Sequence, residues 1–184
     1  MADNAFLHKI FLFRDLSEDE IEEVLSRTQT RNFPAEAVII EEGETGDSMF
    51  IMLSGEVAIT KRLILGLGKD TPKERVLNRL KAEDGVYFEE MTLFGEMTLL
   101  ENEPRSATVT ARSECVLLEL HQKDFLDLIQ QRPDLGVKLL LRLTQGLSAR
   151  LRKTSKDVVK LTSALAISLG GNLPQGGPQA STAR

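Results

Sequence analysis

The chain has 184 residues, 41% of them hydrophobic and 28% charged, with a formal net charge of −5. That is enough for one soluble domain of ordinary size with appendages, and the acidic balance argues against a surface that coats nucleic acid. A single cysteine, Cys115, and two histidines, His8 and His121, in no metal-ligand spacing, argue against an intramolecular disulfide and against a zinc or iron enzyme.

The first stretch, MADNAFLHKIFLFRD, lacks a cationic leader and a long apolar run, so no signal peptide is expected. No run of about 18 apolar residues follows it, and a cytoplasmic location is the expectation. LSEDEIEEVL, Leu16 to Leu25, opens a helix. Ser17 and Glu20 have the spacing of a capping box, Leu16 and Ile21 flank it as a hydrophobic staple, and Glu18, Asp19 and Glu20 suit the positive end of the helix dipole. The helix should end near Arg27.

From Asn32 to Leu120 the texture is that of short strands. VII, MFIML, VAIT, RVLNRL, SATVTA and CVLLEL are β-prone; EEGETGD, SGE, GLGKDTPKE and ENEP between them are turn chemistry. Such a series reads as a β-sandwich or barrel. Gly43, Gly46 and Gly55 stand where tight turns would need positive φ. GLGKDT is similar to a nucleotide triphosphate loop but has Leu63 in place of the first glycine and Asp70 in place of Ser or Thr, so it reads as a hairpin tip. Cys115 and the methionines Met49, Met52, Met91 and Met97 read as core or pocket filler.

After Lys123 the pattern is helical. DFLDLIQQ is one short helix, stopped near Pro133. A longer helix runs from Asp134 to about Leu169, with Leu147 and Leu161 at d of a heptad and Leu151, Val158 and Leu165 at a. Thr154 falls at d. The stripe predicts either packing on the chain's own barrel or a homodimer seam. Phe125 is placed between barrel and helix. The basic residues Arg150, Arg152, Lys153 and Lys156 read as a solvated face. GGNLPQGGPQASTAR, Gly170 to Arg184, has the composition of a disordered tail.

The chemistry concentrates in FGEMTLLENEPRSATVTA, Phe94 to Ala111. Gly95 lets backbone approach a ligand closely. Arg105 offers a planar fork that matches phosphate oxygens, and Ser106 adds a hydroxyl. Glu96 is an acceptor suited to a ribose hydroxyl. The constellation fits a sugar phosphate. It also fits a surface turn in which Arg105 pairs with Glu96, Glu101 or Glu103. No nucleophile stands beside a base, and Glu96 has no paired general acid, so no catalytic residue is expected.

These residues resemble the cyclic-nucleotide-binding domain family. The resemblance covers roughly Phe6 to Leu165 and is carried by VIIEEGETGDSMFIMLSGEVAI and by the phosphate-binding cassette FGEMTLLENEPRSATV. It implies a mainly β fold, a β jelly-roll barrel with an N-terminal helix and a long C-terminal lid and dimerisation helix. The implied organisation is residues 1–31 helical, 32–121 barrel with the cassette at 94–111, 122–169 helical and 170–184 tail. It implies that Glu96 takes the ribose 2′-hydroxyl and Arg105 the cyclic phosphate. Ser106 and backbone N–H groups near Gly95 and Ala107 would assist, and Met97 would fill the pocket. The Thr154-Ser155 pair resembles the adenine-reading pair on the lid helix of activator-type members, one residue from each subunit. Ser106 favours cAMP, with cGMP as the second candidate.

Two departures stand out. Glu36 occupies a turn where many members have glycine, and a local change only is expected. FEEMTL, Phe88 to Leu93, nearly repeats FGEMTL, Phe94 to Leu99. Removing Glu89 to Phe94 restores the usual spacing, so the repeat reads as an insertion. The downstream copy, with Gly95 and leading into Arg105, is the working one. Helix-turn-helix residues do not follow the long helix, so no direct DNA binding is expected. The implied protein is a stand-alone sensor acting on a protein partner, with a structural dimerisation adaptor as the alternative.

Overall fold

The structure, a computed structural model, describes residues 4–63, 73–82, 92–101 and 103–168. The elements in order are α1 (Asn4–Leu7), a 3-10 turn (Phe11–Phe13), α2 (Glu18–Ser26), β1 (Thr28–Phe33), β2 (Val38–Ile40), β3 (Ser48–Leu63), β4 (Lys73–Ala82), β5 (Leu93–Phe94), α3 (Met97–Leu100), β6 (Thr108–Ala111), β7 (Cys115–His121), α4 (Gln122–Gln131) and α5 (Pro133–Ser168). Residues up to Leu143 and residues from Thr144 fall into two units.

Among the described residues, all strand pairs are antiparallel, in the order β1-β7-β3-β6-β2, with β4 and β5 also on β3. The result is the expected curled jelly-roll half-barrel with flanking helices. β3 is its spine. The first half of β3 pairs β7 and the second half pairs β6. The sequence reading split this strand at SGE; the strand instead runs through. Gly55 makes that possible. It sits at φ 102°, and a Cβ there would lie 2.6 Å from the Cys115 sulfur. Glycine thus serves a bend inside one strand, not a turn between two.

Period-two alternation sorts the strand side chains. Met49 and Ile51 of β3, and Leu118 and Leu120 of β7, pack with Val24, Phe125, Leu128, Leu135 and Leu139 of the helices. Phe50 and Met52, with Cys115 and Leu117, fill the other face with Phe94, Val57 and Leu80. Phe125 is therefore buried as placed. β1 starts four residues before the expected boundary, because Thr28 to Phe33 pair along β7. Met91, the stretch GLGKDT (Gly66 to Thr71) expected as a hairpin tip, most of the upstream repeat copy and the C-terminal tail lie outside the described residues.

The α2 start is as predicted. The Ser17 hydroxyl accepts from the Glu20 N–H, and the Glu20 carboxylate accepts from the Ser17 N–H at 2.8 Å. Glu20 also accepts from Lys138 of α5 at 2.7 Å, tying the two helices. The Lys138 hydrogen bond, then that of the Ser17 backbone, holds the Glu20 carboxyl below its ordinary pKa against the cost of burial. A depressed carboxylate stabilises the fold above its unfolded pKa and loses that contribution as pH falls through the folded value. Lys138→Ala should lower stability at neutral pH and flatten the loss below about pH 4.3, the ordinary glutamate value. Urea unfolding across pH 2 to 7 reads this directly.

Glu36 adopts φ 66°, the left-handed region that costs a side-chain-bearing residue about 1–2 kcal/mol. Its backbone N–H donates to the Ala111 carbonyl at 2.9 Å, and its exposed carboxylate meets Arg112 at 3.0 Å. Relief of strain in Glu36→Gly is offset by glycine's chain entropy and a surface ion pair of about 0–1 kcal/mol. That variant should stay within about 1 kcal/mol of wild type in chemical denaturation. Glu36→Val, with a β-branched side chain at positive φ and no ion pair, should be clearly less stable.

Candidate functional site

The cassette opens where β5 leaves the sheet. Phe94 is anchored by pairing with Phe50 and stacks on it, with ring centroids 5.5 Å apart. Gly95 follows at φ 78°, and a Cβ there would lie 2.8 Å from Arg105 Nη1 and 3.1 Å from the Ser48 carbonyl. The chain turns into α3 with Glu96 at its N-terminal end, 3% exposed. The Leu99 N–H donates to the Glu96 carbonyl at 3.2 Å.

Arg105 returns to the same place from the other side. Its backbone is fixed to the turn before β3: the Gly43 N–H donates to the Arg105 carbonyl, and the Arg105 N–H donates to the Glu44 carbonyl, both at 2.9 Å. Its side chain is buried at 8% exposure. Nη1 donates to the Ser48 carbonyl at 2.6 Å and to the Thr98 hydroxyl at 2.8 Å, with a longer approach to the Gly95 carbonyl. Nη2 donates to the Ser48 hydroxyl at 3.3 Å. Among the described residues, no acceptor takes the Nε hydrogen and no carboxylate forms an ion pair with Arg105. The surface-turn alternative, pairing with Glu96, Glu101 or Glu103, is not what the side chain does.

Burial lowers the Arg105 pKa; the nearby Asp47 and Glu119 carboxylates pull the other way. The net arrangement is a buried guanidinium, held along its Nη edge by neutral oxygens. Its Nε edge keeps donor capacity for an anion.

Gly46 is a correction. It does not have positive φ, as Gly43 and Gly55 do. A Cβ at Gly46 would lie 2.6 Å from Arg105 Nη2 and 2.7 Å from Cζ. Glycine is needed there for room, not for backbone conformation. Met97 is 47% exposed, so of the two readings given for the methionines the core one applies to the buried Met49 and Met52 and not to Met97. Its sulfur faces the exposed Ser106 hydroxyl at 3.9 Å.

The structure thus brings Gly95 against Arg105 and Met97 against Ser106, with Glu96 and Ala107 next to them in the chain. Thr154 and Ser155 belong to the second unit, on α5, where both are exposed. Sequence reasoning missed Ser48, Thr98 and Lys61. Lys61 Nζ donates to the Ser106 carbonyl at 3.1 Å, at the point where the β3–β6 ladder ends with Thr60 opposite Thr108. Gln122, the first residue of α4, was also missed. Its side-chain amide donates to the Thr98 and Leu99 carbonyls, and its backbone N–H donates to Asp47. Among the described residues, no three His, Cys, Asp or Glu side chains group as metal ligands, and no helix is long and apolar enough to cross a membrane.

A curled β half-barrel with flanking helices and a buried arginine facing a glycine-glutamate pair defines a class of regulatory binding domain. The chain belongs to the cyclic nucleotide-binding domain family, which matches residues 30–132. It is 35% identical over 125 residues to a cyclic nucleotide-gated potassium channel of Mesorhizobium japonicum, covering 68% of this chain and 29% of the channel. It is 33% identical to the cAMP-activated global transcriptional regulator CRP of Pasteurella multocida, over 77% of this chain and 59% of that protein. The chain therefore spans less than two thirds of either relative.

Among solved structures, it is similar to the Thermus thermophilus catabolite activator protein, with TM-score 0.67, 30% identity, and 83% of this chain and 63% of that chain covered. A cyclic nucleotide-binding domain from Methylobacillus flagellatus matches with TM-score 0.71 and 25% identity, over 86% and 85% of the two chains. The regulatory domain of Toxoplasma gondii PKA, crystallised with cAMP, matches with TM-score 0.53 and 31% identity, over 67% and 43%.

Proposed function

We propose that this protein is a non-enzymatic cyclic-nucleotide sensor, with cAMP as its ligand and cGMP as the second candidate. The observation that carries this is the buried Arg105 guanidinium, whose Nη1 lies against Gly95 and whose Nε, against Gly46, has no acceptor among the described residues. In this reading, Arg105 takes the cyclic phosphate with Ser106 and the backbone N–H groups near Gly95 and Ala107. Glu96 accepts from the ribose 2′-hydroxyl, Met97 covers the ligand, and Thr154 and Ser155 are assigned to adenine. The activator and kinase relatives named for cAMP support that choice of nucleotide.

Transmission would start at Gln122, which links the cassette carbonyls to the first turn of α4. A homodimer would form through the exposed stripe Leu151, Val158, Leu161 and Leu165 of α5, and a protein partner would read it. Sedimentation equilibrium and hydrogen exchange of α4 and α5, with and without cAMP, separate this from a dimerisation adaptor. The sensor reading expects nucleotide to change assembly or helix protection. Identical behaviour with and without cAMP would favour the adaptor.

A further inference from the structure

A chain of buried polar groups lies behind Arg105. Ser48 holds the guanidinium with two different atoms, its carbonyl on Nη1 at 2.6 Å and its hydroxyl on Nη2 at 3.3 Å. That hydroxyl has one proton, and it donates it to Glu119 Oε1 at 3.0 Å. With the proton so directed, the oxygen lone pairs are left for Nη2. Glu119 itself lies opposite Phe50 in the β3–β7 pairing, diagonal to Ser48. Its other oxygen meets Arg31 Nη1 on β1 at 3.2 Å. His121 Nε2 is 3.9 Å from Oε1, while His121 Nδ1 is 3.2 Å from Asp47. Ser48, Arg105 and Glu119 are all buried.

We propose that Glu119 is a positioning residue for nucleotide binding: it orients the Ser48 hydroxyl, which fixes the Nη edge of Arg105 and leaves its Nε edge to the phosphate. The proposal rests on the sensor reading above. A buried carboxylate would otherwise be a costly choice for a strand interior, since burying a charge is unfavourable unless it is hydrogen-bonded and paired. Here Ser48 supplies a hydrogen bond to Oε1 and Arg31 the opposite charge, while Oε2 accepts no hydrogen bond among the described residues. Without Glu119 the hydroxyl is free to rotate. The guanidinium then loses one of the contacts that set its plane, and a planar fork is only as specific as its orientation.

The test is a titration of cAMP and of its two phosphorothioate diastereomers, in which sulfur replaces one or the other exocyclic phosphate oxygen. The proteins are wild type, Glu119→Leu, Glu119→Gln and Ser48→Ala, each checked by thermal unfolding. Glu119→Gln keeps an oxygen acceptor for the Ser48 hydroxyl and should stay near wild type. Glu119→Leu and Ser48→Ala should each weaken cAMP binding about tenfold, the loss of one hydrogen bond to a charged group. Both should also shift the preference between diastereomers, which general loosening of the fold would not do. Should Glu119→Leu not fold, Ser48→Ala decides the matter. Wild-type affinity and wild-type diastereomer preference in the folded variants would overturn the proposal while leaving the sensor reading intact. No binding of any of the three nucleotides to wild type would overturn both.

Discussion

Arg105→Ala should reduce cAMP affinity at least a hundredfold in displacement of a fluorescent cyclic nucleotide. A guanidinium that clamps a phosphate through two N–H groups makes two charge-assisted hydrogen bonds, each contributing about 1.5–3 kcal/mol. The variant also removes the hydrogen bonds that the Ser48 carbonyl and the Thr98 hydroxyl accept from Arg105 at 2.6 and 2.8 Å. Some loss of stability will accompany it. Arg105→Lys separates the two effects. It keeps the positive charge but replaces the fork by a point, so it should bind more weakly than wild type and more tightly than the alanine variant.

Gly46→Ala is expected to be nearly as damaging to binding, although Gly46 is not itself assigned to the ligand. The added methyl would lie 2.6 Å from Arg105 Nη2 and 2.7 Å from Cζ. The only thing that can give way is the end of the arginine side chain. Moving it is inexpensive for the fold, because Gly46 has no positive φ and sits in the turn before β3. For the site it is severe, because the guanidinium is displaced from where a phosphate would meet it. Affinity should fall at least tenfold while the urea unfolding midpoint changes little. Wild-type affinity in Gly46→Ala would mean that Arg105 does not work from the position seen here. Gly95→Ala differs: positive φ and the Ser48 carbonyl at 3.1 Å should make it both less stable and a weaker binder.

Local rules were legible in the sequence. The Ser17–Glu20 box and the short strands follow from contacts a few residues apart or from period-two patterning, whereas the cassette was legible through its resemblance to the cyclic-nucleotide-binding family. What was not legible is non-local. Ser48 and Arg105 are 57 positions apart, and Ser48 and Glu119 are 71 apart; no spacing rule joins them. Gly46 was visible as a glycine, but its reason, room for Arg105, belongs to tertiary packing. SGE looked like a turn because glycine marks both turns and bends, and only the pairing of β3 with β6 and β7 tells them apart. Composition left Met97 open between core and pocket filler, and its exposure beside Ser106 removes the first.

Arg105 is the residue proposed to make this site bind a cyclic phosphate. Calorimetric titration of cAMP into wild type, with Arg105→Ala alongside, tests it most directly. Saturable binding at one site per chain in wild type and no measurable heat in the variant are expected. Equal affinity in the two proteins, or no binding to wild type, would contradict it.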